Sequence, residues 1–198
     1  VSSPRTRVLA PAQMTGGAVP YVQTLAYVTG GDDFIEGSIL SADASDPPAV
    51  EEYSTTPLVD TATGVVIGVA LQAKDSNPGF ELGHNSDVIA STGISSSVSA
   101  VIPNRNMLLS ISIDPATDGS VTDYQVLVGR VFNLNLNTVR GSDVWQLDAN
   151  TTGASAANGA FHVEKVIDIM EPGNTSFAGH EIWVVGTLVP AVLAYPDA

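Results

Sequence analysis

The chain has 198 residues and a mass of 20.4 kDa, which suits one large β domain or one core with an appended subdomain, because a single core stays viable well beyond this length. Seven Lys and Arg stand against 21 Asp and Glu, a net charge of −14 that excludes nucleic acid and anionic membranes as partners, since phosphates are held by clustered cations. With no cysteine the chain forms no disulfide, thiolate metal site or Cys nucleophile, and its 14% charged residues fall well below the roughly 25% of ordinary domains.

Residues 1–20 hold Pro4, Pro11 and Pro20 and the Thr15-Gly16-Gly17 step, with no sustained period, and read as an extended N-terminal arm. Arg5 and Arg7, the only local basic cluster, read as part of a solvated terminus. The opening segment lacks the apolar stretch of a signal peptide, and no run approaches a transmembrane helix. Residues 21–198 are expected to form a single β domain. Tyr21 to Val28 is β-branched and aromatic, and the turn Gly30-Gly31-Asp32-Asp33 separates it from Phe34 to Leu40, so the two predict a hairpin.

Ser41 to Pro57, with Pro47-Pro48 and Glu51-Glu52, has the profile of a surface loop, and an insertion is expected near 41–60. GVVIGVALQA, from Gly64 to Ala73, is almost wholly apolar and predicts a core strand buried on both faces. Phe80 to Leu82 and Asp87 to Ala90 are weaker strand candidates. The serine-rich stretch Ser91 to Ser99 reads as a loop or irregular edge inside a second insertion near 85–105. Met107 to Ile113 places Leu109, Ile111 and Ile113 on one face and Ser110 and Ser112 on the other, a strand signal.

Ser120 to Val128 predicts the one short helix, with Ser120 or Thr122 as N-cap and Tyr124, Leu127 and Val128 at helical spacing. Val131 to Leu136, Val144 to Asp148, Phe161 to Ile169 and Ile182 to Leu193 are all β-like and separated by Gly, Asn and Ser. The expected architecture is therefore mostly β: a single-domain β-barrel or β-sandwich with an extended N-terminal arm and at most one short helix.

Side chains that could carry chemistry are sparse. His84, His162 and His180 are the only histidines, and no Gly-x-Ser-x-Gly turn accompanies them; Gly93-Ile94-Ser95-Ser96-Ser97 lacks the second glycine. His162-Val163-Glu164 has the His-x-Glu spacing of zinc deaminases, but the cysteine half of that site is missing. On a regular strand the two side chains simply share a face. Asp32-Asp33, Asp43 with Asp46, Glu51-Glu52, and Asp114 with Asp118 sit in turn-like strings, where loop calcium is one reading, although none matches the EF-hand loop. No phosphate-binding glycine loop is present. These observations predict no catalytic, cofactor-binding or metal residue, no cofactor, and a protein that is not an enzyme.

Several strings resemble the head decoration, or capsid cement, proteins of tailed bacteriophages. They are Gly68-Val69-Ala70-Leu71, Val128-Gly129-Arg130-Val131-Phe132-Asn133-Leu134, Val144-Trp145-Gln146-Leu147-Asp148, His162 to Asp168 (HVEKVID) and Gly179 to Val185 (GHEIWVV), spanning roughly residues 64 to 190. The resemblance implies a non-enzymatic virion protein on the outer surface of the icosahedral head, made in the host cytoplasm. Its implied partner is the major capsid protein, whose subunits it bridges, and its implied state is a homo-oligomer, most simply a trimer. The chain departs from compact members of that family by the stretches 41–60 and 85–105. Two alternatives stand beside this reading. One is a secreted β-sandwich binding module or adhesin, with Trp145, Trp183 and Tyr195 as sugar-stacking candidates. The other is a hydrolase built on Asp or Glu.

Overall fold

A computed structural model describes residues 10–14, 20–28, 35–45, 48–61, 64–71, 94–114, 117, 124–139, 142–150, 158–169 and 181–197. In chain order the strands are β1 (Ala10–Met14), β2 (Val22–Val28), β3 (Ile39–Ala42), β4 (Val50–Glu52), β5 (Gly68–Ala70) and β6 (Ile94–Val101). They continue with β7 (Met107–Ser112), β8 (Val131–Phe132), β9 (Leu134–Val139), β10 (Ser142–Leu147), β11 (Phe161–Ile169) and β12 (Glu181–Leu188). Two short 3-10 turns, Tyr124–Leu127 and Pro190–Val192, interrupt the strands.

The strands make a closed five-stranded barrel in the order β2-β4-β3-β5-β6, a five-stranded sheet in the order β1-β7-β12-β11-β8, and the β9–β10 hairpin. The mostly β expectation therefore holds, and a barrel is the form it takes. Alternation explains why each strand sits where it does. In β7, Met107, Leu109 and Ile111 are buried, while Ser112 takes the other face and accepts a hydrogen bond from Gln146 Nε2 at 3.2 Å. β5 is buried at all three positions, as a strand walled on both faces must be.

Two apolar clusters share one wall. Leu40, Ala70, Ala100, Val98, Val50 and Tyr27 fill the barrel. Ile39, Val69 and Val101, each the chain neighbour of a barrel-filling residue, point outward into the main core with Leu109, Phe132, Trp145, Phe161 and Val184. The barrel and the sheet are thus packed against each other through β3, β5 and β6. The backbone reinforces the joint where Val66 N donates to Val192 O at 2.9 Å and Ala194 N to Val66 O at 2.9 Å.

β11 and β12 approach closely at a register shift between Val163 and Lys165. Gly186, the partner of Val163, lies so near the opposing strand that a Cβ there would stand 2.0 Å from the His162 carbonyl oxygen. Only a residue without a side chain fits this crossing.

Several expectations are corrected. β2 and β3 do not form a hairpin: β2 pairs with β6 antiparallel and with β4 in parallel, because the barrel closes between elements distant in sequence. The serine-rich stretch is no loop. Ile94–Val101 is an eight-residue strand in which Val98 and Ala100 are buried and Ser97 and Ser99 lie half-exposed between them, so the period of two outweighs the low β-propensity of serine. Within 41–60, β4 is part of the barrel wall, and Leu58 exchanges hydrogen bonds with Leu134 at 2.8 and 3.3 Å, so this segment is built into the fold. The arm also contributes a strand, since Ala10–Met14 pairs with β7 as the sheet's edge, and the register shifts between Pro11 and Gln13. An edge is where a residue without an N–H is tolerated. Of the expected short helix, Tyr124–Leu127 is a 3-10 turn. Phe80 to Leu82, Asp87 to Ala90, Ser120 and Thr122 lie outside the described residues.

Candidate interaction surface

Among the described residues, the pairs singled out for chemistry do not converge on one site. His162 Nδ1 lies 3.9 Å from Glu164 Oε1, and both side chains are partly exposed. The strand bulges between Val163 and Lys165, which turns Glu164 and Lys165 both to solvent. The contact is thus a surface ion pair formed when the histidine is protonated, of the kind that contributes about 0–1 kcal/mol. Among the described residues no group of three or more His, Cys, Asp or Glu is placed to hold a metal. His84 and His180 lie outside the described residues, as do Asp32, Asp33, Asp46 and Asp118.

Among the described carboxylates, Asp43 serves a turn and Glu52 the barrel wall. Asp43 Oδ1 accepts from Ser45 N at 2.7 Å, which closes a tight turn. Glu52 is buried, and its Oε1 accepts from Ser38 Oγ at 2.6 Å, a short bond between β4 and the lead-in to β3. Glu51, its neighbour, is exposed. Both border an open cleft of about 340 Å³ lined also by Tyr53, Ser54, Thr55 and Gly64. Asp114 is buried, and its main-chain carbonyl accepts from Thr117 Oγ1 at 2.9 Å, while that hydroxyl oxygen accepts from Ala149 N at 3.0 Å.

The aromatic residues divide sharply. Trp145 is 1% exposed and stacks on Tyr53 with ring centroids 5.9 Å apart and planes at 17°. Trp183 is 5% exposed. Both rings are packed into the protein, so they offer no face to a sugar, and of the three stacking candidates Tyr195 alone is exposed.

What the molecule presents instead is strand edge and scattered apolar surface. β1 closes one side of the five-stranded sheet with its outer edge unpaired among the described residues. At one end of the barrel, Tyr21, Val22 and Tyr195 are exposed around the turn that follows β6: Ile102 N donates to Tyr21 O at 2.9 Å and Arg105 N to Pro196 O at 3.2 Å. Arg105 also pairs with Asp197. Of these residues the sequence singles out Tyr195 alone, because an exposed tyrosine and a core tyrosine read alike in a strand. No described helix is long and apolar enough to cross a membrane.

Compared with protein-family models, curated proteins and solved structures, the chain matches none. The functional reading therefore rests on its own residues and geometry.

Proposed function

We propose that this chain is a non-enzymatic structural protein that decorates the outside of a tailed-phage head and bridges capsid subunits, assembling there as a homo-oligomer. The observation that supports this most directly is β1. A segment near the amino end forms the edge strand of a five-stranded sheet, and among the described residues nothing pairs with its outer row of peptide groups, which suits pairing with a neighbouring chain. The strings that resemble cement proteins fall on β5, β8, β10, β11 and β12, and so belong to the sheets and barrel that hold that edge in place. The acidic surface opposes random self-association, while repeated placement on a symmetric shell lets weak contacts act together.

The test is add-back. Heads stripped of the protein are mixed with the full chain or with one lacking residues 1–14, and occupancy and resistance to osmotic shock are measured. The full chain is expected to bind and protect, and the shortened chain to bind more weakly. Equal occupancy rejects the role given to β1, and failure of the full chain to bind any head rejects the proposal.

A further inference from the structure

The cleft beside the β3–β4 pair has a lining that strand register explains. Ser41 stands opposite Glu51, and Tyr53, two residues further on, continues the ladder where its N–H donates to Ile39 O at 2.8 Å. Residues two apart share a face, so Ser41, Glu51 and Tyr53 lie together on the side turned away from the barrel interior. Glu52 takes the other side with Leu40, which fills the barrel. The first three border the cleft of about 340 Å³ together with the exposed Ser54, Thr55 and Gly64.

Three properties of this lining decide what it can hold. Glu51 is exposed with Glu52 beside it, and no Lys, Arg or His is among the residues that line the cleft, so an anionic ligand is repelled. The aromatic residue is braced: the Tyr53 ring stacks on Trp145, which is 1% exposed, with centroids 5.9 Å apart and planes at 17°. A ring already held in place binds the apolar side of a ligand at little entropic cost. Last, the hydroxyls of Ser41, Ser54 and Thr55 both donate and accept, while the Glu51 carboxylate only accepts. A simple cation is matched by the carboxylate and gains nothing from donors. A polyol uses donors and acceptors alike.

We propose that this cleft binds a neutral carbohydrate, with one sugar ring against Tyr53 and its hydroxyl groups bonded to Glu51, Ser41 and Thr55. The volume lies at the small end of ligand clefts, which suits a single sugar unit. Trp145, too deeply buried to touch a sugar, serves as the support of the ring that does. The inference goes beyond the head-decoration reading and stands or falls apart from it.

The experiment titrates the isotopically labelled full chain with the methyl glycosides of glucose, galactose, mannose and N-acetylglucosamine and, separately, with methylguanidinium. At least one glycoside is expected to shift the amide resonances of residues 51–55 and 64, with an affinity that salt does not change. Glu51→Gln keeps an acceptor and removes the charge, so it should alter glycoside affinity by about threefold or less, whereas a bound cation would be lost. Gly64 gives the blocking variant: its φ is +70°, which asparagine tolerates, and an added Cβ would meet nothing within 4 Å. Gly64→Asn should therefore weaken glycoside binding about tenfold by placing a side chain at the cleft. Thr55→Val removes one hydroxyl at an exposed position and should weaken binding several-fold, which keeps the test decisive if the Gly64 variant does not fold. The proposal is overturned if no glycoside shifts these resonances, if the shifts lie elsewhere, or if Thr55→Val and folded Gly64→Asn bind as the parent chain does. Binding of methylguanidinium alone also overturns it, by marking the cleft as a cation site. Sugar binding here together with failure to bind heads would retain the cleft and reject the phage assignment.

Discussion

Replacing Gly186 with alanine tests the closest approach in the fold. The added Cβ would stand 2.0 Å from the His162 carbonyl oxygen, 2.7 Å from Phe161 Cε1 and 2.9 Å from the His162 carbonyl carbon. Ordinary contacts between such atoms begin near 3.4 Å, so β11 and β12 must separate by about 1 Å or more, and two of the three obstacles are backbone that cannot rotate away. Both strands sit in the densely packed main core, where Phe161 and Val184 are fully buried, and strain there is transmitted and not absorbed. Overpacking of this kind costs about 1–3 kcal/mol, and the backbone obstacle puts Gly186→Ala at about 3 kcal/mol. For a chain of this size that is a fall of about 6–12 °C in Tm. Gly64→Ala is the control: nothing lies within 4 Å of the position its new methyl group would take, and its φ of +70° sets a cost of about 1–2 kcal/mol from backbone strain alone. Urea unfolding of the two variants at one temperature gives the comparison. If Gly186→Ala is no less stable than Gly64→Ala, the packing argument fails.

Ser38→Ala withdraws the donor at 2.6 Å from buried Glu52 and should destabilise the barrel by about 1–3 kcal/mol, read as a lower urea midpoint at unchanged slope. A second outcome concerns the tryptophans. With Trp145 and Trp183 at 1% and 5% exposure, native fluorescence should be shielded from iodide and become quenchable on unfolding, whereas strong native quenching would contradict their burial.

Legibility follows the length and purity of each pattern. Phe161 to Ile169 is legible to both of its ends, and Met107 to Ile113 nearly so, because β-branched and apolar residues run through both, alternating throughout Met107 to Ile113 and with one interruption at Glu164 and Lys165. The serine-rich strand β6 escapes such a reading because its inward residues are small: Val98 and Ala100 pack inside the barrel beside the larger Tyr27 and Leu40, so the hydrophobic signal along β6 is faint. The absent hairpin has a different cause. Turn residues between two strand candidates reveal that the chain reverses, but barrel closure decides which strand lies beside which, and β2 finds its partner in β6, far along the chain. For the candidate surface, composition tells only that acid dominates. Which strand ends the five-stranded sheet among the described residues depends on the pairing of β1 with β7, and no spacing in the sequence encodes that.

The wall common to the two apolar clusters ties the strand alignments of barrel and sheet together. Ile39 and Leu40, Val69 and Ala70, and Ala100 and Val101 each send one side chain to either side. Sliding β5 or β6 by one residue would exchange both sets of contacts at once, driving valine into the barrel interior and leaving alanine in a space shaped for larger groups. A misaligned barrel thus spoils the sheet beside it, and partial repair on one side gains nothing on the other. For a molecule built of short strands, three of them with four residues or fewer in the barrel alone, this doubled penalty supplies an alignment that strand length cannot. It also makes any pull on the barrel a pull on the sheet, since no layer of solvent or slack linker lies between Val69 and the core it enters.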